Sequence, residues 1–279
     1  MIVKKPARLT LFASAAAAGL LAVAAVAPSA DANPAAHKSS IQKPTVVLVH
    51  GAFADGSGWS GVIERLQHDG YTVKAPAVPL RDLPGDAAYI ESVLKQTPGP
   101  IILVGHSYGG AVMTNAAASD PDVKALVYIA AFAPDAGESV ADLSAKTVDH
   151  PIDALPLKTY SYPLAGGGED TDFYIDPAKY RYTFLSDMAS QTTASSLAAS
   201  QRPLSAIAFN GKTQQAAWKT IPSWYMVAKQ DHAIAPDLER YMAKRAKAHT
   251  VEVNAPHLAM VTRPGAVTGL IEEAATSTR

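Results

Sequence analysis

Ile101-Ile102-Leu103-Val104-Gly105-His106-Ser107-Tyr108-Gly109-Gly110 joins an apolar run of strand length to a segment that continues with helical periodicity to Ser119. Four consecutive aliphatic residues with no polar member read as a strand buried on both faces, as in parallel sheets. Gly105-His106-Ser107-Tyr108-Gly109 then fits G-x-S-x-G, a sharp strand-to-helix turn that lifts a serine hydroxyl out of a sheet. Glycines suit such a turn because it brings the strand and helix backbones close together. The pattern alone is loose. Its place between a buried strand and a helix marks Ser107 as a candidate nucleophile.

Outward from that turn the same alternation recurs. Apolar runs of strand length fall at 45–49, 72–75, 100–104, 125–131, 223–228 and 250–253, and helical periods fall at 59–69, 86–96, 108–119, 236–247 and 265–275. This predicts an α/β chain: a mainly parallel sheet with helices on both faces. Between 135 and 218 the pattern breaks into scattered prolines, Gly166-Gly167-Gly168 and a group of aromatics from Tyr160 to Phe184. So long a stretch is not a plain loop. We expect an inserted helical cap at 140–218, with one helix over 194–209, and a core made of 45–139 and 219–279.

The N-terminal residues differ in character. Lys4, Lys5 and Arg8 precede an uncharged Ala-, Leu- and Val-rich run from Leu9 to Ala27, and Ala30 and Ala32 supply an A-x-A site. This is the profile of an export signal peptide at 1–32. The many alanines make it weakly hydrophobic for a span. Cleavage after Ala32 is expected, leaving a polar linker at 33–44, no stable membrane anchor, and a periplasmic or extracellular protein.

Composition narrows the partners. The 24 basic and 25 acidic residues are scattered along the chain, which gives no electrostatic footprint for nucleic acid. A small molecule is the expected partner. The chain has no cysteine, so disulfides, thiol catalysis and thiolate metal sites are excluded.

A serine hydroxyl is a weak nucleophile at neutral pH and needs a neighbouring imidazole to take its proton. In an open parallel sheet, reactive groups gather beyond the carboxyl ends of the strands. Of the eight histidines, His257 follows the last strand and is the expected base, whereas His37 lies in the linker, His68 in a helix and His249 before its strand. His50 follows the first strand and is expected to play a hydrogen-bonded structural role. His106 is expected to point away from its neighbour Ser107. The orienting acid should also follow a strand and lie between serine and histidine. Asp231 meets both conditions, with Asp135 as the competing residue. The oxyanion formed on attack needs fixed donors, and the backbone N–H groups of Ala52 and Tyr108 are the expected pair. No cofactor or metal is required.

Together, His50-Gly51-Ala52, the stretch from Gly105 to Gly110, Lys229-Gln230-Asp231 and Pro256-His257-Leu258-Ala259-Met260 resemble the α/β-hydrolase superfamily. The likeness is closest to its group of methylesterases, hydroxynitrile lyases and bacterial serine esterases. The resemblance implies the α/β-hydrolase fold and a serine carboxylesterase working through an acyl-enzyme. Plant hydroxynitrile lyases of this group carry a Thr after the first-strand histidine and a Lys after the catalytic histidine. Gly51 and Leu258 occupy those positions here, so hydrolysis is implied. Other chemistry on the same triad (lactonase, amidase, perhydrolase or lyase) and a slow-turnover signal receptor are the alternatives. Expressed in an exporting host, the processed protein is expected to begin at Asn33. Mass spectrometry of its N-terminus checks this, and a retained Met1 overturns it.

Overall fold

The computed structural model describes residues 43–278. The signal peptide expected at 1–32, and the linker as far as residue 42, lie outside the described residues. The chain starts with β1 (Thr45–Val49), α1 (Ser60–His68), β2 (Val73–Lys74), α2 (Leu83–Lys95), β3 (Ile101–Ser107), α3 (Tyr108–Ala116) and β4 (Val123–Ala131). It continues through α4 (Val140–Ser144), β5 (Leu157–Pro163), β6 (Glu169–Ile175), α5 (Tyr180–Leu185), α6 (Gln191–Ala199), β7 (Leu204–Ser205) and α7 (Ala206–Asn210). The last segment comprises β8 (Ser223–Ala228), α8 (Pro236–Arg245), β9 (His249–Val253), α9 (Ala259–Thr262) and α10 (Pro264–Ser277).

Six strands form one sheet in the order β2-β1-β3-β4-β8-β9, every pair parallel. The aliphatic runs at 45–49 and 101–104 are buried along their whole length, as continuous apolar strands covered on both faces must be. Because all strands point the same way, their carboxyl ends share one edge of the sheet. Val49 pairs with Gly105 and Ala228 with Val253, so the loops after β1, β3, β8 and β9 all emerge on that edge.

Local signals explain several boundaries. Helix α2 begins three residues before the apolar period does, because the Asp82 side chain caps it by accepting from Gly85 N (2.7 Å) and Pro84 sits in its first turn. Helix α8 starts at Pro236, with Asp237 and Glu239 in its first turn and Lys244 and Arg245 in its last, a charge order that suits the helix dipole.

The inserted segment departs from the expectation of a helical cap. Its helices are short, and it also contains a three-stranded antiparallel sheet, β5-β6-β7. The β5–β6 hairpin turns at 164–168, where Gly167 and Gly168 take φ of 89° and 83° and Leu164 N donates to Gly168 O (3.0 Å). Gly166-Gly167-Gly168 was therefore a hairpin signal. The helix expected over 194–209 is broken in two. Pro203 can neither donate a ladder hydrogen bond nor sit in a helix interior, and the chain extends there to pair Leu204 with Phe173 before α7 begins.

The turn into α3 leaves no room for side chains. A Cβ on Gly109 would lie 2.5 Å from Val49 O and 2.6 Å from His50 O, both backbone atoms that cannot rotate away. A Cβ on Gly166 would meet nothing within 4 Å. Gly109→Ala is expected to destabilise the fold by about 1–3 kcal/mol, and Gly166→Ala to change it by less than about 0.5 kcal/mol. Urea midpoints measure both, and equal shifts would contradict the close approach of β1 and α3.

Candidate active site

Ser107 ends β3 and precedes α3 with φ 53° and ψ −126°, a backbone conformation that L-residues rarely hold. Such strain costs about 1–3 kcal/mol and persists where the surroundings enforce it. Here the enforcement is close packing. A Cβ on Gly51 would lie 2.6 Å from Ser107 Cβ, and Phe132 N donates to Ser107 O (3.1 Å) on the other side. Ser107 keeps 7% of its surface exposed.

His257 lies in the loop after β9 and Asp231 in the loop after β8. His257 Nδ1 donates to Asp231 Oδ2 at 2.6 Å, with the two residues 1% and 2% exposed. Asp231 Oδ1 accepts from Ala233 N (2.6 Å) and Ile234 N (2.8 Å), which fixes the carboxylate before the imidazole reaches it. With its proton on Nδ1, the ring carries the lone pair on Nε2. The loops are themselves tied together, since Lys229 N donates to Val253 O and Gln230 N to Ala255 O, both at 2.9 Å.

Asp135, the competing acid, is elsewhere. It pairs with Lys219 and accepts from Ala136 N. His50 is structural as expected: Nδ1 donates to Gly51 O (2.9 Å), Nε2 accepts from Val78 N (2.9 Å), and burial lowers its pKa. His106 does more than point away. Its Nε2 donates to His257 O (3.0 Å), its ring lies 4.6 Å from that of His257, and burial, reinforced by His257, holds it neutral. It thus supports the loop that carries His257. No sequence period signals this contact, which spans 151 positions.

Tyr108 N is the first N–H of α3 and has no acceptor within the helix. The Tyr108 hydroxyl donates to the buried Asp86 Oδ2 (2.8 Å), fixing the side chain, and burial raises the pKa of both groups. Across from it, Phe53 N is spent on Arg202 O (3.0 Å), while Ala52 N has no acceptor among the described residues. Ala52, Ser107, Tyr108 and His257 all line one cavity. The part next to Ser107 is narrow, about 40 Å³, and almost wholly apolar. It shares Phe132, Leu155, Phe209 and Ile234 with an adjoining chamber of about 320 Å³. Phe173 and Phe184 reach the cavity from the cap. Trp59 instead is fully buried against His106, and Tyr160 and Tyr182 are exposed. Among the described residues no group of three or more His, Asp and Glu side chains could hold a metal ion.

The alpha/beta hydrolase family matches residues 46–269, which takes in β1, the Ser107 turn and both loops that supply Asp231 and His257. The chain belongs to that family. The "Carbendazim hydrolyzing esterase" of Nocardioides sp. (strain SG-4G) is 34% identical to it over 121 residues, 39% of this chain and 50% of that one. The chain thus spans half the length of that relative. "Alpha/beta hydrolase nvfD" of Aspergillus novofumigatus (strain IBT 16806) is 24% identical over 256 residues, 84% of this chain and 97% of that one. The crystal structure of polyneuridine aldehyde esterase superposes with a TM-score of 0.72 at 18% identity, covering 83% of this chain and 99% of its own. That likeness extends over the cap as well as the sheet.

In this alpha/beta hydrolase the short Nδ1–H bond to a carboxylate shielded from water is directly observable. Proton NMR is expected to show a far-downfield imidazole N–H that exchanges slowly and vanishes in Asp231→Ala. Its presence in the variant would mean that His257 takes its orientation from another group.

Proposed function

We propose that this alpha/beta hydrolase is a serine carboxylesterase acting on small-molecule esters. The observation that carries the reading is the buried Asp231–His257 pair, whose His257 lines the same cavity as Ser107. Ser107 Oγ attacks the ester carbonyl while His257 Nε2 takes its proton, and Asp231 stabilises the imidazolium that forms. The N–H groups of Ala52 and Tyr108 receive the oxyanion, each contributing about 3 kcal/mol. On collapse the alcohol departs with the proton from His257. Water, deprotonated by the same nitrogen, then attacks the acyl-enzyme; its proton passes to Ser107 and the carboxylic acid leaves.

The cavity supports an apolar acyl or alcohol group next to Ser107, with the larger chamber taking the remainder. Hydrolysis is favoured over a lyase reaction by Leu258, buried directly after His257, which offers no cation to a departing anion. Names among the relatives point the same way, one being a carbendazim hydrolyzing esterase and another a pyrethroid hydrolase. Export through residues 1–32 belongs to the same proposal, and would bring the enzyme to esters outside the cytoplasm.

Hydrolysis of p-nitrophenyl esters from acetate to dodecanoate tests this directly. The protein is expected to turn over many times. Ser107→Ala is expected to lose about 10⁴-fold or more in kcat. A stoichiometric burst without turnover would favour a signal-binding receptor, and an active Ser107→Ala would remove Ser107 from the chemistry.

A further inference from the structure

Glu239, in the first turn of α8, is fully buried and takes no part in the steps above. Its Oε2 accepts from Ala228 N (2.9 Å) at the end of β8. Its Oε1 receives no donor among the described residues, and the Asp231 carboxylate is its charged neighbour. Two carboxylates touching away from water cannot both stay charged without strong repulsion. A proton shared between them turns that repulsion into a hydrogen bond. The donors already present decide where it sits. Asp231 already accepts from Ala233 N, Ile234 N and His257 Nδ1, whereas Glu239 accepts from one backbone N–H and its Oε1 has no donor, so Oε1 is the oxygen free to carry the proton.

The other groups around Glu239 do not change this assignment. Tyr225, on β8, faces it and commits its hydroxyl to Ala131 O. Arg240 follows it on α8 but forks onto Glu252 and binds Asp237 at the surface. Among the described residues no lysine or arginine bonds to either carboxyl group.

We propose that Glu239 is a positioning residue that keeps its proton at neutral pH and donates it to Asp231, holding that carboxylate in the orientation that receives His257 Nδ1–H. Burial, and then the Asp231 charge, push the Glu239 carboxyl well above the usual carboxylate range. The role rests on the reading of Asp231 and His257 as acid and base. A glutamine fits the same place: its carbonyl can accept from Ala228 N while its amide donates to Asp231.

The sign of the pH effect follows. Folded Glu239 retains a proton that the unfolded chain releases above about pH 4.5. Its contribution to stability is therefore full below that pH and is lost progressively as pH rises toward the folded pKa. Glutamine has no proton to lose.

The test compares wild type with Glu239→Gln, Glu239→Met and Ser107→Ala. Urea unfolding between pH 4 and 8 is expected to show Glu239→Gln gaining on wild type as pH rises, by up to about tenfold in the folding constant per pH unit. In ester hydrolysis, Glu239→Gln is expected to stay within about threefold of wild type with an unmoved acid limb, while Glu239→Met loses about 10- to 100-fold in kcat with KM little changed. Parallel pH dependence of unfolding in wild type and Glu239→Gln would mean that Glu239 is ionised and overturn the proposal. So would an acid limb displaced in Glu239→Gln, or a Glu239→Met of full kcat. Should Ser107→Ala prove active, the triad reading fails instead, and the unfolding series, which needs no turnover, still decides whether Glu239 holds the proton.

Discussion

The backbone crowding around Ser107 is the constraint on which the remaining architecture depends. Strand β3 must run directly into α3 with Gly51, Gly105 and Gly109 packed against neighbouring carbonyls, and only glycine permits those approaches. The compression holds Ser107 at a positive φ and leaves its side chain at the carboxyl edge of the sheet. The same geometry leaves Tyr108 N unpaired at the start of a helix, where its dipole favours negative charge. The proposed nucleophile and one proposed anion donor thus follow from a single packing decision.

The proposed acid and base depend on a different principle, the parallel pairing of β8 with β9. Adjacent parallel strands deliver their following loops side by side, and the backbone bonds from Lys229 and Gln230 continue the pairing into those loops. Asp231 and His257, 26 positions apart, meet because the sheet register puts them there. The helix after the acid contributes as well. Its first turn returns Glu239 beneath Asp231, so the shell around the proposed triad is a continuation of the core and not a property of flexible loops.

The parallel sheet was legible because strands buried on both faces are written as unbroken aliphatic runs, as at 45–49 and 101–104. Ser107, Asp231 and His257 could be singled out because each follows a segment of strand length. The cap was less legible. Its strand β5 is largely exposed and β6 half-buried, and residues such as Lys158, Tyr160, Asp172 and Tyr174 mix charge with aromatics instead of alternating cleanly. Pro203 is the residue that ends the alanine-rich period before it. Contacts such as His106 with the His257 carbonyl, or Glu239 with Asp231, join side chains to distant backbone or to one another. They leave no periodic trace, and only the folded chain reveals them.

The cap is fastened to the core at several points, among them Arg81 with Pro203 O and His150 with Asp237, and one set of bonds lies beside His257. Leu258 N donates to Phe184 O (3.0 Å), the Tyr180 hydroxyl to Phe53 O (3.3 Å) and the Ser186 hydroxyl to Gln230 O. Helix α5 is therefore fastened to the loops of the sheet at the level of His257, and raising it would leave buried polar groups unpaired. The 144–157 segment that walls the larger chamber is more exposed, and Lys146 and Asp153 stand at its rim. The roof is therefore pinned where the proposed base sits, and the wall at 144–157 is the chamber's solvent-exposed side.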